Sequence, residues 1–441
     1  MKIKELKLYM ILIISSLILS ATHLFRYLTN KTFPLYEQYQ YLTPKFFLYN
    51  FILEIFNSEF LLRIVPTIFG IINVILLYYI LQKFVKKKLQ LFLTISVYVF
   101  SPVFIYIHTT INNLFLPVFF FLIALLFLLN HKYFLSLIGL LISVVLNQLF
   151  ILPVLILLLV TFEKNKSDNS FIPILSILLS TYLVVSLSFP EPNISIHQGL
   201  LNLVSDLGSN IGLGLFSIVI SLFGLIISWQ KKNNNVIIYV SLFSFLFAFL
   251  TENLFIVFIN FIMAYYAGLA IYTMIKSKWD SELLKTYVII LVFCGLIFST
   301  GSYIKRISDS GPFSNEIESL IWLKDNNDGS MVLSDYQYGF MIQKFTNLNT
   351  YTDLTYYKYS TNKEKISKTN KLYNYAQIKD VAPFLKKENI KYIWINEEMK
   401  KNIWNNKEKG LLLVLKNSPS IKKIYDYQGI EIYEFTFFEN I

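Results

Sequence analysis

The feature that most constrains this chain is a succession of apolar runs separated by short polar joints. An apolar helix of about 20 residues spans the hydrocarbon core of a bilayer. Such runs lie near residues 7–25, 59–82, 89–107, 111–130, 133–146, 149–162, 171–189, 210–229, 236–250, 254–275 and 284–301, about eleven in all, some of them short. The pair either side of Asn147-Gln148 is ambiguous. Each half has only about 14 residues, which suits two crossings, one kinked helix or a re-entrant pair. Composition agrees with a lipid-facing chain: 55% of residues are hydrophobic and 15% charged, against about 25% charged in soluble proteins. The single cysteine, Cys294, sits inside an apolar run, so disulfides and a Cys-based metal site are excluded. The N-terminal stretch has the basic start and apolar core of a signal peptide. No small-x-small cleavage site follows, and it reads as a retained first helix.

The net charge of +11 does not point to nucleic acid. The lysines fall mainly in short joints and in the C-terminal region, the pattern of membrane topology signals. With a cytoplasmic N-terminus, the inner joints are Lys2–Lys7, Lys83–Lys88, His131-Lys132, Glu163–Asp168, Lys231-Lys232 and Lys276–Lys285. The outer joints then hold Glu37, His108, Glu191, His197, Asp206 and Glu252, with few cations beyond Arg26, Lys31 and Lys45. Merging the ambiguous pair would invert every later joint and place lysine clusters outside. The charge pattern therefore favours eleven crossings and an extracytoplasmic C-terminus.

After about Ser302 the apolar runs shorten, and Lys, Asn, Asp and Tyr dominate. The remaining length suffices for a domain with its own core. Predicted elements are a helix over Asn315–Lys324, a strand over Ser330–Ser334, a helix over Ile378–Glu388 and a strand over Lys391–Asn396. A helix over Gly410–Asn417 follows, then a hairpin of Ile421–Tyr427 and Ile430–Phe438 around Gln428-Gly429. Tyr351–Lys371 is polar and tyrosine-rich and reads as a long surface loop. The expected organisation is a transmembrane domain over 1–301 and a soluble α/β domain over 302–441. The second has no Gly-rich phosphate loop and no cluster of metal ligands.

One stretch carries a family resemblance. Phe33 to Phe84 joins a polar loop with one carboxylate, Glu37, to an amphipathic segment, Lys45–Phe56, and then to an apolar helix opening Ser58-Glu59-Phe60-Leu61-Leu62-Arg63 and passing through Pro66. This resembles the first external loop and second membrane helix of the GT-C membrane glycosyltransferases, which include protein O-mannosyltransferases and aminoarabinose transferases of lipid A. The resemblance implies an α-helical polytopic membrane protein of the cell envelope with an extracytoplasmic C-terminal α/β domain. It implies transfer of a hexosyl or pentosyl group from a polyprenyl-phosphate donor to a protein, lipid or glycan acceptor at the outer face.

By that resemblance Glu37 is the catalytic base. An acceptor hydroxyl is a poor nucleophile, and a carboxylate within reach takes its proton as attack develops. Family members often carry Asp-Glu at this position, whereas this chain has Tyr36-Glu37. Either Glu37 serves alone or the base role is weakened or lost. On the residues alone, without the resemblance, Glu37 reads as a solvated loop acid. Arg63 suits the donor phosphate, since a guanidinium grips phosphate bidentately. Its plain alternative is an arginine snorkelling to the headgroups. His108, after Ser101-Pro102 and before Asn112-Asn113, is a second phosphate candidate or an ordinary interfacial histidine. Glu191, His197 and Asp206 share one outer loop as substrate-loop candidates, against a plain solvated loop; their wide spacing is a poor metal signature.

No metal site is predicted, and the sequence neither requires nor forbids a divalent metal. Pro312 to Ile342 and Leu385 to Asn396 are similar to the external domain of oligosaccharyltransferases. There Trp-Trp-Asp-Tyr-Gly reads the acceptor sequon. Here the stretch is Ser334-Asp335-Tyr336-Gln337-Tyr338-Gly339, without the tryptophans. The rival readings are a flippase of lipid-linked glycans, a non-catalytic assembly subunit, and a glycan polymerase or ligase. Almost no ionisable residue stands mid-helix, which counts against the flippase.

Overall fold

The computed structural model describes residues 3–30, 59–110, 112, 114–156, 200–209, 211–230, 236–250, 252–353 and 363–436. They belong to two compact units, one within Met1–Ser310 and the other centred on Gly311–Ile441.

The first unit is helical. Its elements are α1 (Ile3–Asn30), α2 (Glu59–Phe84), α3 (Lys88–Val99), α4 (Pro102–Thr109), α5 (Phe115–Leu129), α6 (Tyr133–Leu146), α7 (Leu215–Gln230), α8 (Val236–Phe249), α9 (Ile256–Lys276) and α10 (Glu282–Ser308). Four stretches are long and apolar enough to cross a membrane: Lys7–Thr29, Ile64–Phe84, Ile256–Lys276 and Glu282–Ser308. The expected span over 89–107 is instead the bent pair α3 and α4, joined at 60°. The break has a local cause. Pro102 stands at the first turn of α4, and Ser101 caps that helix by accepting from the Val103 N–H at 3.2 Å. Helices α5 and α6 have 15 and 14 residues, about 22 Å of rise, short of a hydrocarbon core of about 30 Å. Among the described residues four helices are therefore long enough to span a membrane, or five spans with the bent pair. Residues 171–189, one expected span, lie outside them, as do residues 157–162 of another.

The bundle packs through small residues. A Cβ on Gly70 of α2 would lie 2.8 Å from the His108 Cβ of α4, and one on Gly268 of α9 would lie 2.2 Å from the Thr94 hydroxyl of α3. Apolar side chains such as Leu283, Leu291, Phe298, Phe243 and Phe247 remain exposed on α10 and α8, as a lipid-facing surface requires.

The second unit contains α11 (Ser314–Asp325), β1 (Met331–Leu333), α12 (Gly339–Thr346), α13 (Lys363–Asn374), α14 (Ile378–Lys387), β2 (Ile390–Ile395), α15 (Glu397–Trp404), α16 (Leu411–Asn417), β3 (Ile421–Tyr427) and β4 (Ile430–Phe435). The sheet order is β1-β2-β4-β3. β1 and β2 are parallel, and the other two pairings are antiparallel. Gln428 and Gly429 both have positive φ, 46° and 82°, the left-handed pair that a two-residue hairpin turn needs. Val332, Leu333, Ile393, Trp394 and Ile432 form the core with Leu320 and Leu323 of α11 and Val381 and Leu385 of α14.

The surface loop expected over Tyr351–Lys371 is corrected at both ends. Tyr351 is 1% exposed, and its N–H donates to the Val332 carbonyl at 2.9 Å along the edge of β1. Its other end lies in α13. There Thr369, Leu372 and Tyr373 are buried on one face, while Glu364 and Lys368 pair across one turn at 2.8 Å. The polar face had hidden a short amphipathic helix. Residues 354–362 lie outside the described residues.

Candidate functional site

At one end of the helical unit, polar side chains tie α1, α2, α4 and α10 together. Thr67 near the start of α2 is the hub. Its hydroxyl donates to the His108 carbonyl at 3.2 Å and lies 2.9 Å from His23 Nε2. A hydroxyl has one hydrogen, and a carbonyl can only accept. Thr67 therefore accepts from His23, whose Nε2 carries the proton.

Three residues further along α1, Arg26 is fully buried. Its guanidinium donates to the Ser308 carbonyl at 2.7 Å and to the Ser310 carbonyl. A cation over the last carbonyls of α10 meets both their hydrogen-bonding need and the negative end of the helix dipole. Arg306 of α10 donates to the Ser205 carbonyl and, at 2.7 Å, to the Ser209 carbonyl, and it stacks on Tyr303 at 5.0 Å. Neither arginine was singled out for a role in the sequence. A guanidinium near a span end reads as a topology mark unless its distant carbonyls are known.

The predicted site residues separate into three groups. Glu37, Glu191 and His197 lie outside the described residues. Arg63 falls in the opening turns of α2. His108 and Asp206 have defined surroundings, and both are engaged in packing. His108 is 0% exposed, with neither ring nitrogen hydrogen-bonded. It packs against Gly70 and edge-on to Phe104 at 4.8 Å. Asp206 accepts from the Ser299 hydroxyl at 2.7 Å and from the Leu215 N–H at 2.6 Å. It thereby fastens the segment before α7 to α10. Asn112 closes α4 and opens α5: its amide donates to the Tyr106 and Ile107 carbonyls and accepts from the Leu114 N–H at 2.9 Å. Glu252 is half-buried between α8 and α9.

The second unit has its own polar cluster at the carboxyl ends of β1 and β2. Tyr338 donates to Glu398 Oε2 at 2.6 Å, and its ring lies 5.2 Å from that of Trp394. The buried Glu316 accepts from the Asn396 amide at 2.7 Å and from the Phe313 N–H at 3.0 Å. Burial, and then the Glu398 charge, raise the Asp335 carboxyl above its usual value. Burial likewise raises the Tyr338 phenol. On the antiparallel side, burial alone would raise Glu431. The Tyr433 hydroxyl, Lys400 and Lys423 outweigh it and hold the carboxyl below its usual value. Among the described residues, no three His, Cys, Asp or Glu side chains converge as metal ligands.

No protein family pattern matches the sequence, and no curated protein matches it. Solved structures do. The Archaeoglobus fulgidus oligosaccharyltransferase tethered with an acceptor peptide containing the NVT sequon matches with a TM-score of 0.56 at 12% identity, over 89% of this chain and 69% of that one. Its apo form matches with a TM-score of 0.53 at 12% identity, over 77% and 59%. The archaeal oligosaccharyltransferase AglB from Archaeoglobus fulgidus, in complex with an inhibitory peptide and a dolichol-phosphate, matches with a TM-score of 0.51 at 11% identity, over 91% and 70%. Likeness at this identity concerns the fold alone, and the long apolar helices suit a membrane protein.

Proposed function

We propose that this chain is a polytopic membrane glycosyltransferase. It moves a hexosyl or pentosyl group from a polyprenyl-phosphate donor to an acceptor at the outer membrane face. The observation that carries the reading is the fold likeness to an oligosaccharyltransferase seen with an acceptor peptide and with a dolichol-phosphate. In this reading residues 1–301 cross the membrane eleven times from a cytoplasmic N-terminus. Residues 302–441 form the extracytoplasmic domain. The acceptor is a protein, lipid or glycan.

Glu37 is the base, and Arg63 neutralises the phosphate as it leaves. Direct displacement inverts the anomeric carbon. One carboxylate suffices, because the polyprenyl phosphate is already a good leaving group. His108 of α4, packed against Gly70 of α2, would meet the phosphate only if that contact opened. In the closed arrangement it acts instead by holding α4 against α2. The test is sugar transfer by purified protein in lipid from a panel of radiolabelled polyprenyl-phosphate sugars. Glu37→Gln keeps size and removes the base, and it should lower transfer by about a hundredfold or more with donor binding retained. Equal transfer would move the base to Glu191 or Glu252, since Asp206 is engaged by Ser299 and Leu215. Donor binding without transfer from any donor would favour the flippase or the assembly subunit.

A further inference from the structure

α2 turns one stripe to the bundle and another away from it. Gly70, Val74 and Leu77 are buried, while Ile68 and Tyr79 on the opposite side are exposed. At Gly70 the buried stripe meets two helices: an added Cβ would lie 2.8 Å from the His108 Cβ of α4 and 3.1 Å from the Leu19 side chain of α1. Followed back to the start of α2 at helical spacing, the same stripe passes through Thr67 and then Arg63. Position 63 therefore stands on the side of α2 that meets α1 and α4. That is the wrong side for an arginine snorkelling through lipid.

The turn that carries Arg63 is loosened by Pro66, which lies inside α2. Proline has no N–H, so the Leu62 carbonyl loses its helical donor. Side chains tie the helix down at this point. Thr67 accepts from His23 Nε2 at 2.9 Å and donates to the His108 carbonyl at 3.2 Å, so one hydroxyl fastens α2 to both α1 and α4. Arg26, three residues beyond His23, is taken up by the Ser308 and Ser310 carbonyls.

We propose that His23 and Thr67 are positioning residues for the donor phosphate. Their hydrogen bond, with that from Thr67 to the end of α4, fixes the rotation of the α2 turn that presents Arg63. This role presupposes Arg63 as the phosphate ligand, as proposed above. A bidentate grip on phosphate tolerates little error in angle, and a turn deprived of a backbone bond by proline does not supply that precision itself. His23 needs only its Nε2–H, which both the imidazolium and the tautomer that Thr67 requires carry. A glutamine, with an N–H donor at the same reach, meets the same need.

The test measures binding of a fluorescent polyprenyl monophosphate to the full chain in maltoside detergent, with the matching polyprenyl alcohol as the neutral control. The ratio of the two affinities reads the phosphate contact alone. Arg63→Gln should lower that ratio by about tenfold or more. Thr67→Val keeps the shape and loses both bonds, and His23→Leu loses one. They should lower the ratio by about tenfold and about fivefold, with alcohol binding unchanged. Thr67→Ser and His23→Gln supply the hydroxyl and the N–H again, and each should keep most of the wild-type ratio. An unchanged ratio in both Thr67→Val and His23→Leu would overturn the proposal. So would a His23→Gln ratio as low as that of His23→Leu, or phosphate and alcohol affinities that fall together, the mark of a merely structural role. Should Thr67→Val not fold, the His23→Leu and His23→Gln pair decides alone. No change in Arg63→Gln, or no wild-type preference for the phosphate, would break the Arg63 reading together with this one. A ratio lost in Arg63→Gln but kept in Thr67→Val and His23→Leu would break this one only. Sugar transfer absent, with the phosphate preference and its dependence on His23 intact, would break the glycosyltransferase reading and leave the positioning role standing.

Discussion

The two units satisfy their charged side chains with different partners. In the helical unit Arg26 and Arg306 are satisfied by backbone carbonyls, and Asp206 by a hydroxyl and an N–H. In the second unit Lys391 bridges Asp328 at 2.5 Å and Glu434 at 3.1 Å, while Lys400 and Lys423 flank Glu431 at 3.2 and 3.6 Å. The apolar bundle is poor in side chains of opposite sign, so its charges take up backbone groups freed at helix ends. The sheet unit has acids and bases on neighbouring strands, where they pair directly. The carbonyl-bound arginine cannot be replaced without orphaning backbone, whereas an exposed ion pair can be lost at little cost.

This contrast can be broken most directly at Arg26. Arg26→Met keeps the length but leaves the Ser308 and Ser310 carbonyls without this donor. We expect a loss of about 3 kcal/mol, read by hydrogen exchange in α1 and α10 with protection of the sheet strands unchanged. An equal loss in both units would defeat the comparison.

Gly70→Ala tests whether the same end of the bundle depends on close backbone approach. A Cβ there meets the His108 Cβ and Cγ at 2.8 Å, and we expect a cost of about 1–3 kcal/mol. Thermal unfolding in detergent would measure it, and an unchanged midpoint would show that α4 moves freely against α2.

Acid should separate the units further. The Glu431 carboxyl is held below its usual value, and Asp328, beside Lys391 and Ser330, is held at about 2. A carboxyl depressed on folding contributes stability above its unfolded pKa, and that stability is lost as pH falls through the folded value. Protection of β2, β3 and β4 should therefore decline from about pH 4.5 downward. Glu431→Gln should flatten part of the slope. Asp335 has the opposite sign: its carboxyl is raised on folding, so its charge opposes folding at neutral pH. Asp335→Asn should accordingly stabilise the sheet unit at neutral pH, and a loss of stability there would show that the fold needs the charged carboxylate.

The smallest effect belongs to Lys391→Met. Its pair with Asp328 is partly solvated, and we expect under about 1 kcal/mol by urea denaturation. A larger loss would mean that the ion pairs of this unit behave like the buried arginines of the other.

Much of the frame was legible in local patterns. The helices over 59–84, 256–276 and 282–308 follow from uninterrupted apolar runs, and the β3–β4 hairpin from two strand-like runs around Gln428-Gly429. The α3–α4 bend was half-legible: Ser101-Pro102 marks a helix start, but the apolar run across it hid the break. Helix α13 was missed because only its narrow buried face is apolar. Of the candidate site, Asp206 stood out as an outer-loop acid, yet its bond to Ser299 joins residues 93 positions apart. His108 stood out as an interfacial histidine, and its burial comes from Gly70 of another helix.

By itself the sequence determined where apolar helices must form, where the chain turns polar, and which strands can pair across a tight turn. These depend on residue type and spacing within about 20 positions, where propensity and periodicity act. Only the tertiary structure decided that Arg26 closes the end of α10, that Thr67 joins His23 to the end of α4, and that Tyr338 donates to Glu398. Each joins groups distant in the chain. A hydrogen bond depends on a separation of about 3 Å, which the order of residues along the chain does not specify.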